Sequence, residues 1–421
     1  MFLLAKLKHV CESNISCGTI RSHIIVACAA TNSADFGMIK KSILFQSQHL
    51  LVIAQAGETD GIFVTFNEMG LTTNADRFWG DTLFEKLKIS AIGVMTPTPN
   101  WYPEQDIICA LRAIRSITDG RRVVTYGHSQ GGYGALKYSG ALNAAAVLSF
   151  CPQWSINPDD VRTFDDRFHS NYRPNLRNGL RIEPDDVIKN SYLLFDKHSK
   201  PDLWNAEKIQ ERSGTTAIHC PFSGHETVRL PAEAGRSADL VSLFMTESAD
   251  YSGPLKKIMR QSREKSSTYH KHTYKYLVNL GKFSKLEKLL PKFAGDLATE
   301  VRIMLAVGQL RFGEAQKLIT ACPRKVLENI GILKCWTICR TNDLMDAELR
   351  IAQDIISRSD TDAWTRLHAV NTYIKADLFD EAKGELRLII DRFGCKVGIN
   401  HIRSFAQTLG LPEIEARVAQ M

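Results

Sequence analysis

Hydrophobic positions along the first half of this chain come in short β-branched runs separated by longer stretches with helical spacing. Strands are predicted at His23–Ala30, Leu50–Ala54, Gly61–Phe66, Ala91–Met95, Arg122–Tyr126, Ala144–Phe150, Ser191–Phe195 and Thr215–Cys220. Alternation of this kind is the signature of a mostly parallel sheet covered by helices, so residues 1–245 are read as an α/β domain. The pattern stops between Phe150 and Asn190, where Pro, Asp, Arg and Asn dominate, and this stretch is read as an insertion or lid over about 151–190. Near Thr246–Lys271, Ser, Lys, Arg and His replace the strand pattern, which places a linker at 246–272. From Thr273 to the end the spacing is helical throughout.

The strongest chemical signal is Val123-Val124-Thr125-Tyr126-Gly127-His128-Ser129-Gln130-Gly131-Gly132-Tyr133-Gly134-Ala135-Leu136. A Gly-x-Ser-x-Gly leaving a β-branched strand and entering an Ala/Leu-rich helix is the setting of a nucleophile elbow. Gly127 and Gly131 serve a turn so tight that side chains there would collide, which pushes Ser129 up at a helix N-terminus. Unpaired N–H groups and the helix dipole favour developing negative charge there. Serine alone is a poor nucleophile at neutral pH. It needs an imidazole to take its proton and a carboxylate to hold that imidazole.

These residues resemble the α/β-hydrolase family, whose elbow commonly reads Gly-His-Ser-x-Gly-Gly, over roughly residues 20 to 245. The resemblance implies an acid and then a histidine after the serine. His225, in Ser223-Gly224-His225-Glu226 after the last predicted strand, matches the family's terminal histidine loop. His219 competes but lies within the strand run. For the acid, Asp196 ends its strand directly and Asp202 follows a short loop; the reading leans to Asp202, and the other aspartate would cap a turn or helix. The resemblance also places His128 as a support of the elbow. An oxyanion hole would use the backbone N–H of Gln130 and, after an earlier strand, that of Phe66 or Asn67. Trp101 and Trp154 follow strand C-termini, where open α/β sheets bind ligands, and are candidates for substrate contact or for ordinary packing.

In the helical half, Phe283, Phe312, Leu344 and Phe379 lie 29, 32 and 35 residues apart, and Ala315, Ala347 and Ala382 each follow three positions later. This is near the tetratricopeptide period of about 34. Phe379-Asp-Glu-Ala382 resembles the start of the second helix of that repeat, although its first-helix aromatic pattern is largely absent. A tetratricopeptide-like array, or failing that a helical bundle, is expected over 273–421, and such an array could hold a protein partner.

Composition adds boundaries. The chain has 421 residues with a formal charge of +7 from 53 basic and 46 acidic side chains, scattered rather than clustered, which argues against a nucleic-acid partner. Ten cysteines show neither a zinc-ligand spacing nor a disulfide framework. Reduced thiols, no metal, no membrane-spanning segment and a soluble, cytoplasmic protein are expected. Arg162, Arg167, Arg173, Arg177 and Arg181 alternate with Asp159, Asp160, Asp165 and Asp166 in the insertion, which favours a polar substrate over a lipid. The expected activity is hydrolysis of an ester or thioester, with an acylated saccharide as one substrate, through an acyl-enzyme on Ser129 and without a cofactor. Acyl transfer by the same residues, or an idle hydrolase domain in a scaffold protein, are the alternatives.

Overall fold

A computed structural model describes residues 41–71, 76–394 and 398–420. The chain divides into two compact units, one ending at His272 and the other spanning Thr273–Met421.

The described residues of the first unit form one eight-stranded sheet of β1 (Lys41–Gln46), β2 (Leu51–Gln55), β3 (Ile62–Phe66), β4 (Ser90–Met95), β5 (Val123–His128), β6 (Ala146–Phe150), β7 (Ser191–Phe195) and β8 (Thr216–His219). Their spatial order is β1-β2-β4-β3-β5-β6-β7-β8. Strand β2 runs antiparallel to both β1 and β4, and every pairing from β4 through β8 is parallel. This is the α/β-hydrolase sheet that the elbow motif implied. Seven of the strands fall where the hydrophobic runs placed them. The exception is β1, an edge strand opening with lysine and mostly half-buried, whose pattern is too polar to read as a strand without its neighbour. The run His23–Ala30 lies outside the described residues.

Period-two alternation sorts the strand residues between two cores. Ile62, Val64 and Phe66 of β3 and Ile92 and Val94 of β4 face one side, where α2 (Glu104–Thr118) adds Ile107, Ala110, Leu111 and Ile114. Phe63, Ala91, Val124 and Tyr126 face the other. That second core is completed by Phe84 of α1 (Asp81–Lys86) and by α7 (Ser237–Met245) through Leu240, Val241 and Phe244. Between β5 and β6 lies α3 (Gln130–Lys137); between β7 and β8 lies α5 (Lys200–Ser213). The insertion carries one short helix, α4 (Pro158–Val161), and three 3₁₀ turns, and it packs Trp154, Ile156, Phe168 and Ile182 into the first core.

Part of the expected linker belongs to this unit instead. After α6 (Arg229–Glu233) and α7, residues Ser252–Ser262 form α8, and Tyr251, Leu255, Ile258 and Met259 are buried in the second core. The Lys and Arg residues that suggested a linker occupy the solvent face of an amphipathic helix, which spacing reveals only over the full three turns.

The second unit is all helical among its described residues. Five turns repeat one geometry: Gly281, Leu310, Asp343, Asp377 and Gly410 take positive φ values of 64°, 59°, 52°, 57° and 64°. In each, the next residue's N–H donates to a carbonyl five positions back, as in Arg311 to Ala306 at 2.8 Å and Leu344 to Cys339 at 2.9 Å. The following helices begin at Phe283, Phe312, Met345, Phe379 and Pro412. The repeat therefore aligns Met345, not Leu344, with Phe379, and includes a fifth copy at Pro412 whose proline hides it from the sequence pattern. In that register the position three residues on is Ala315, Glu348 and Ala382, all buried, whereas Phe379 is 42% exposed, so this position rather than the aromatic one is packed away. No helix of the described residues is long and apolar enough to cross a membrane.

Because α8 completes a core, Leu255→Ala should lower the stability of the first unit by about 2–5 kcal/mol. The check is the urea midpoint of its unfolding; a true linker position would leave that midpoint unmoved.

Candidate active site

Parallel strands deliver their C-terminal ends to one edge of a sheet, so the loops after β3, β5, β6, β7 and β8 gather there. Ser129 sits at the tip of the loop after β5, with φ 53° and ψ −120°, a conformation that costs a non-glycine residue of order 1–3 kcal/mol. Its own N–H donates to the Phe150 carbonyl at 2.8 Å. Neighbouring backbone forces the turn: a Cβ on Gly127 would lie 2.1 Å from the Gly131 oxygen, and one on Gly131 would lie 2.2 Å from the Phe66 oxygen. Only hydrogen fits at either place.

His225 comes from the loop after β8. Its Nε2 lies 2.8 Å from Ser129 Oγ and its Nδ1 lies 2.8 Å from Asp202 Oδ1. Residues distant in sequence thus form a continuous serine, imidazole, carboxylate chain. Of the two competing aspartates, Asp202 faces the imidazole from the first turn of α5, and Asp196 does not. Asp196 instead accepts from the backbone N–H groups of Ser223 and Gly224, both at 2.9 Å, and from that of His198 at 3.0 Å. It anchors the loop that carries His225. His219, the other histidine weighed from sequence, accepts from the Lys197 N–H at 3.2 Å and stays within the strand-end packing.

Asp202 is buried, and burial pushes its carboxyl upward. Hydrogen bonding to His225, the charges of His225 and Arg167 and a hydrogen bond from Ser199 outweigh that cost and hold it at about 2. It is therefore a carboxylate at neutral pH. The Ser199 hydroxyl donates to its Oδ2 at 2.6 Å, and Arg167 Nη2 donates to its Oδ1 at 2.9 Å.

His128 supports the histidine loop from the elbow. Its Nε2 lies 2.8 Å from the His225 carbonyl oxygen and its Nδ1 lies 2.7 Å from Glu68 Oε2. Both partners are acceptors, so both contacts are hydrogen bonds only when the ring carries two protons. The hydrogen bond from His128 lowers the Glu68 carboxyl below its ordinary value, which keeps it an acceptor.

The oxyanion nominees are placed unequally. Gln130 opens α3, whose first-turn amides have no partner within the helix, so its N–H lacks a helical acceptor beside Ser129. Its side chain ties neighbouring loops together, accepting from Asn100 N and donating to Thr96 Oγ1. Asn67 does not fit the second position: its N–H donates to the Val94 carbonyl at 3.3 Å, and its side chain accepts from Thr96 N at 2.9 Å. Phe66 lies inside β3, with its carbonyl pressed against Gly131. The two tryptophans are not substrate platforms either. Trp101 is fully buried with Nε1 donating to Gln153 Oε1 at 3.0 Å, and Trp154 is buried with Nε1 donating to the Ile182 carbonyl at 3.1 Å.

Sequence reasoning missed Glu68 and the role of Arg167. Glu68 adjoins the nominated Asn67, but nothing local marks it as the partner of His128. Arg167 is one of five arginines in the insertion, and only the folded chain separates it from the rest. Cys151 lies beside the same residues, with a ligand atom within 4.8 Å of those of Asp202 and His225. Burial pushes its thiol well up, and Sγ rests 3.2 Å from Thr227 Oγ1. With both His225 nitrogens engaged by Asp202 and Ser129, this trio offers no open metal site. The second cluster, Asp196, His198 and His219, has its carboxylate committed to three backbone donors.

No known family matches the chain, and no curated protein matches it. Among solved structures, the capsule O-acetyltransferase of Neisseria meningitidis serogroup A is similar over 51% of this chain and 98% of its own, at 12% identity with a TM-score of 0.37. An esterase of Pyrococcus furiosus is similar over 49% of this chain and 92% of its own, at 10% identity and a TM-score of 0.35. An acetyl xylan esterase from Paenibacillus sp. R4 is similar over 44% and 82%, at 11% identity and a TM-score of 0.28.

The two aspartates should separate by experiment. Asp202→Asn should slow covalent labelling by a fluorophosphonate roughly 10³- to 10⁴-fold, because the amide holds the imidazole in the wrong tautomer. Asp196→Asn should chiefly lower the melting temperature, having weakened a charged anchor of three N–H groups. Equal losses of labelling at unchanged melting temperatures would reverse these roles.

Proposed function

We propose that this chain is a serine hydrolase that cleaves an ester or thioester of a polar substrate through an acyl-enzyme on Ser129. The observation that carries the reading is the 2.8 Å contact from Ser129 Oγ to His225 Nε2, continued by the 2.8 Å contact from His225 Nδ1 to Asp202. In this scheme His225 takes the hydroxyl proton as Ser129 attacks the acyl carbon. Asp202 holds the imidazole in the tautomer with hydrogen on Nδ1 and stabilises the imidazolium. The Gln130 N–H meets the oxyanion. His225 then returns the proton to the leaving alkoxide or thiolate. Water, deprotonated by the same imidazole, attacks the acyl-enzyme and frees the acid. The scheme uses side chains and backbone alone.

The insertion supports a polar substrate. Three of its arginines are already paired, Arg167 with Asp165 and Asp202, Arg177 with Glu104 and Arg181 with Asp160, which offsets part of its positive charge. An acylated saccharide fits that chemistry. For the second unit, the repeated helix pairs favour a tetratricopeptide-like array that would present a surface to a protein partner.

Ser129→Ala should abolish fluorophosphonate labelling and lower hydrolysis of p-nitrophenyl acetate by about 10³-fold or more. Undiminished hydrolysis by the folded variant would sink the assignment.

A further inference from the structure

The insertion reaches into the site through one residue. The Arg167 guanidinium grips Asp165 with two hydrogen bonds, Nε to Oδ1 at 2.7 Å and Nη2 to Oδ2 at 2.8 Å, while Nη2 also reaches Asp202 Oδ1 at 2.9 Å. Both carboxylates are buried, with side chains 1% and 0% exposed. Asp165 is itself held by Asn205 Nδ2 at 2.8 Å, and Asn205 Oδ1 accepts the Trp154 N–H at 2.7 Å. Arg167 rests on the Phe168 ring, 5.1 Å from its centroid, which sets the plane of the fork. Burial works against its charge, but the bonds and charges of Asp165 and Asp202 prevail and keep it cationic.

The charges make an odd set. Two buried carboxylates surround one guanidinium, leaving a single negative charge beside His225. Arg167 Nη1 lies 3.4 Å from His225 Nδ1, but the hydrogen on Nδ1 already points to Asp202, so this is a close approach of two cationic groups once His225 is protonated. An imidazolium brings the cluster to neutrality. Without Arg167 the ring would face two uncompensated carboxylates.

We propose that Arg167 is a positioning residue for this site, supplied by the insertion, which offsets one of the two buried carboxylates so that His225 stays free to act as a base near neutral pH. The inference rests on the proposed role of His225. Other groups also face that ring. His128 stands 5.4 Å away, ring to ring, with Glu68 behind it. The Cys151 thiol is kept protonated by burial. Glu226 and Arg229, on the histidine's own side, pair with each other at 3.7 Å and are 43% and 60% exposed, so solvent screens them. Arg167, its side chain 29% exposed, and its two buried aspartates are the most direct part of the field.

The test compares Arg167→Gln, Arg167→Lys and Asp165→Asn with the wild type. The acid limb of the pH dependence of fluorophosphonate labelling is one readout. An NMR titration of the His225 ring, assigned with His225→Gln, is another that needs no activity. Arg167→Gln should move both midpoints up by about one pH unit or more, since it removes an adjacent positive charge. Labelling should then be depressed about tenfold below the midpoint and recover at higher pH. Asp165→Asn should move them down, and Arg167→Lys should stay near wild type. Opposite shifts for the two charge changes are the signature, because a purely structural role would lower rates at every pH with unmoved midpoints. That result, or shifts of the same sign, overturns the proposal. If Arg167→Gln does not fold, the Asp165→Asn and Arg167→Lys titrations decide alone. A wild type that takes no fluorophosphonate counts against the nucleophile, while the ring titration still reads the charge effect.

Discussion

The turn between β5 and α3 leaves room for hydrogen and nothing larger at Gly127 and Gly131, and that exclusion sets where everything else must stand. With strand and helix so close, the residue at the apex is driven into a strained backbone conformation, and its hydroxyl points away from both elements. The strain is of order 1–3 kcal/mol and is tolerated because the flanking core over-determines the turn. Ile62, Val64 and Phe66 of β3 and the neighbouring β4 residues are buried behind it. A looser core would let the turn relax and the hydroxyl swing out of reach of His225.

A fixed hydroxyl demands an equally fixed imidazole, and three anchors from separate elements supply it. Asp196 holds the loop before His225 by its backbone N–H groups, His128 meets its carbonyl, and Asp202 meets its ring. The two aspartate anchors are buried carboxylates, whose bonds to N–H groups are charge-assisted and so stronger than neutral contacts. The division of labour between the aspartates follows from their places. Asp196, at the end of β7, is level with the loop's backbone, while Asp202, in the first turn of α5, is level with the ring.

The insertion after β6 binds itself into the same frame. Several of its apolar residues join the core, and Arg167, Arg177 and Arg181 pair with carboxylates inside and outside the segment, which offsets part of its charge. Burying two carboxylates so close together would be prohibitive without a cation between them, and Arg167 occupies that position. The helical unit shows a different economy: one left-handed turn with a backward hydrogen bond recurs five times, and buried alanines let the helices approach.

Local patterns in the sequence determined the element types, seven strand positions, the elbow with Ser129, the histidine at His225 and the helical period of the second half. These are properties of short segments, carried by alternation, by glycine spacing and by turn residues, and they survive without knowledge of neighbours. Tertiary structure alone decided which aspartate meets the imidazole, that Glu68 and Arg167 join the site, that Asn67 spends its N–H on Val94, and that Trp101 and Trp154 are core. It also decided that Leu255 and Met259 belong to a core rather than to a linker, and that Met345 is the repeat position. All of these turn on contacts between segments tens of residues apart. A shift of a few residues, such as that from the strand end at Asp196 to the helix start at Asp202, leaves composition unchanged while placing a carboxylate on a different partner.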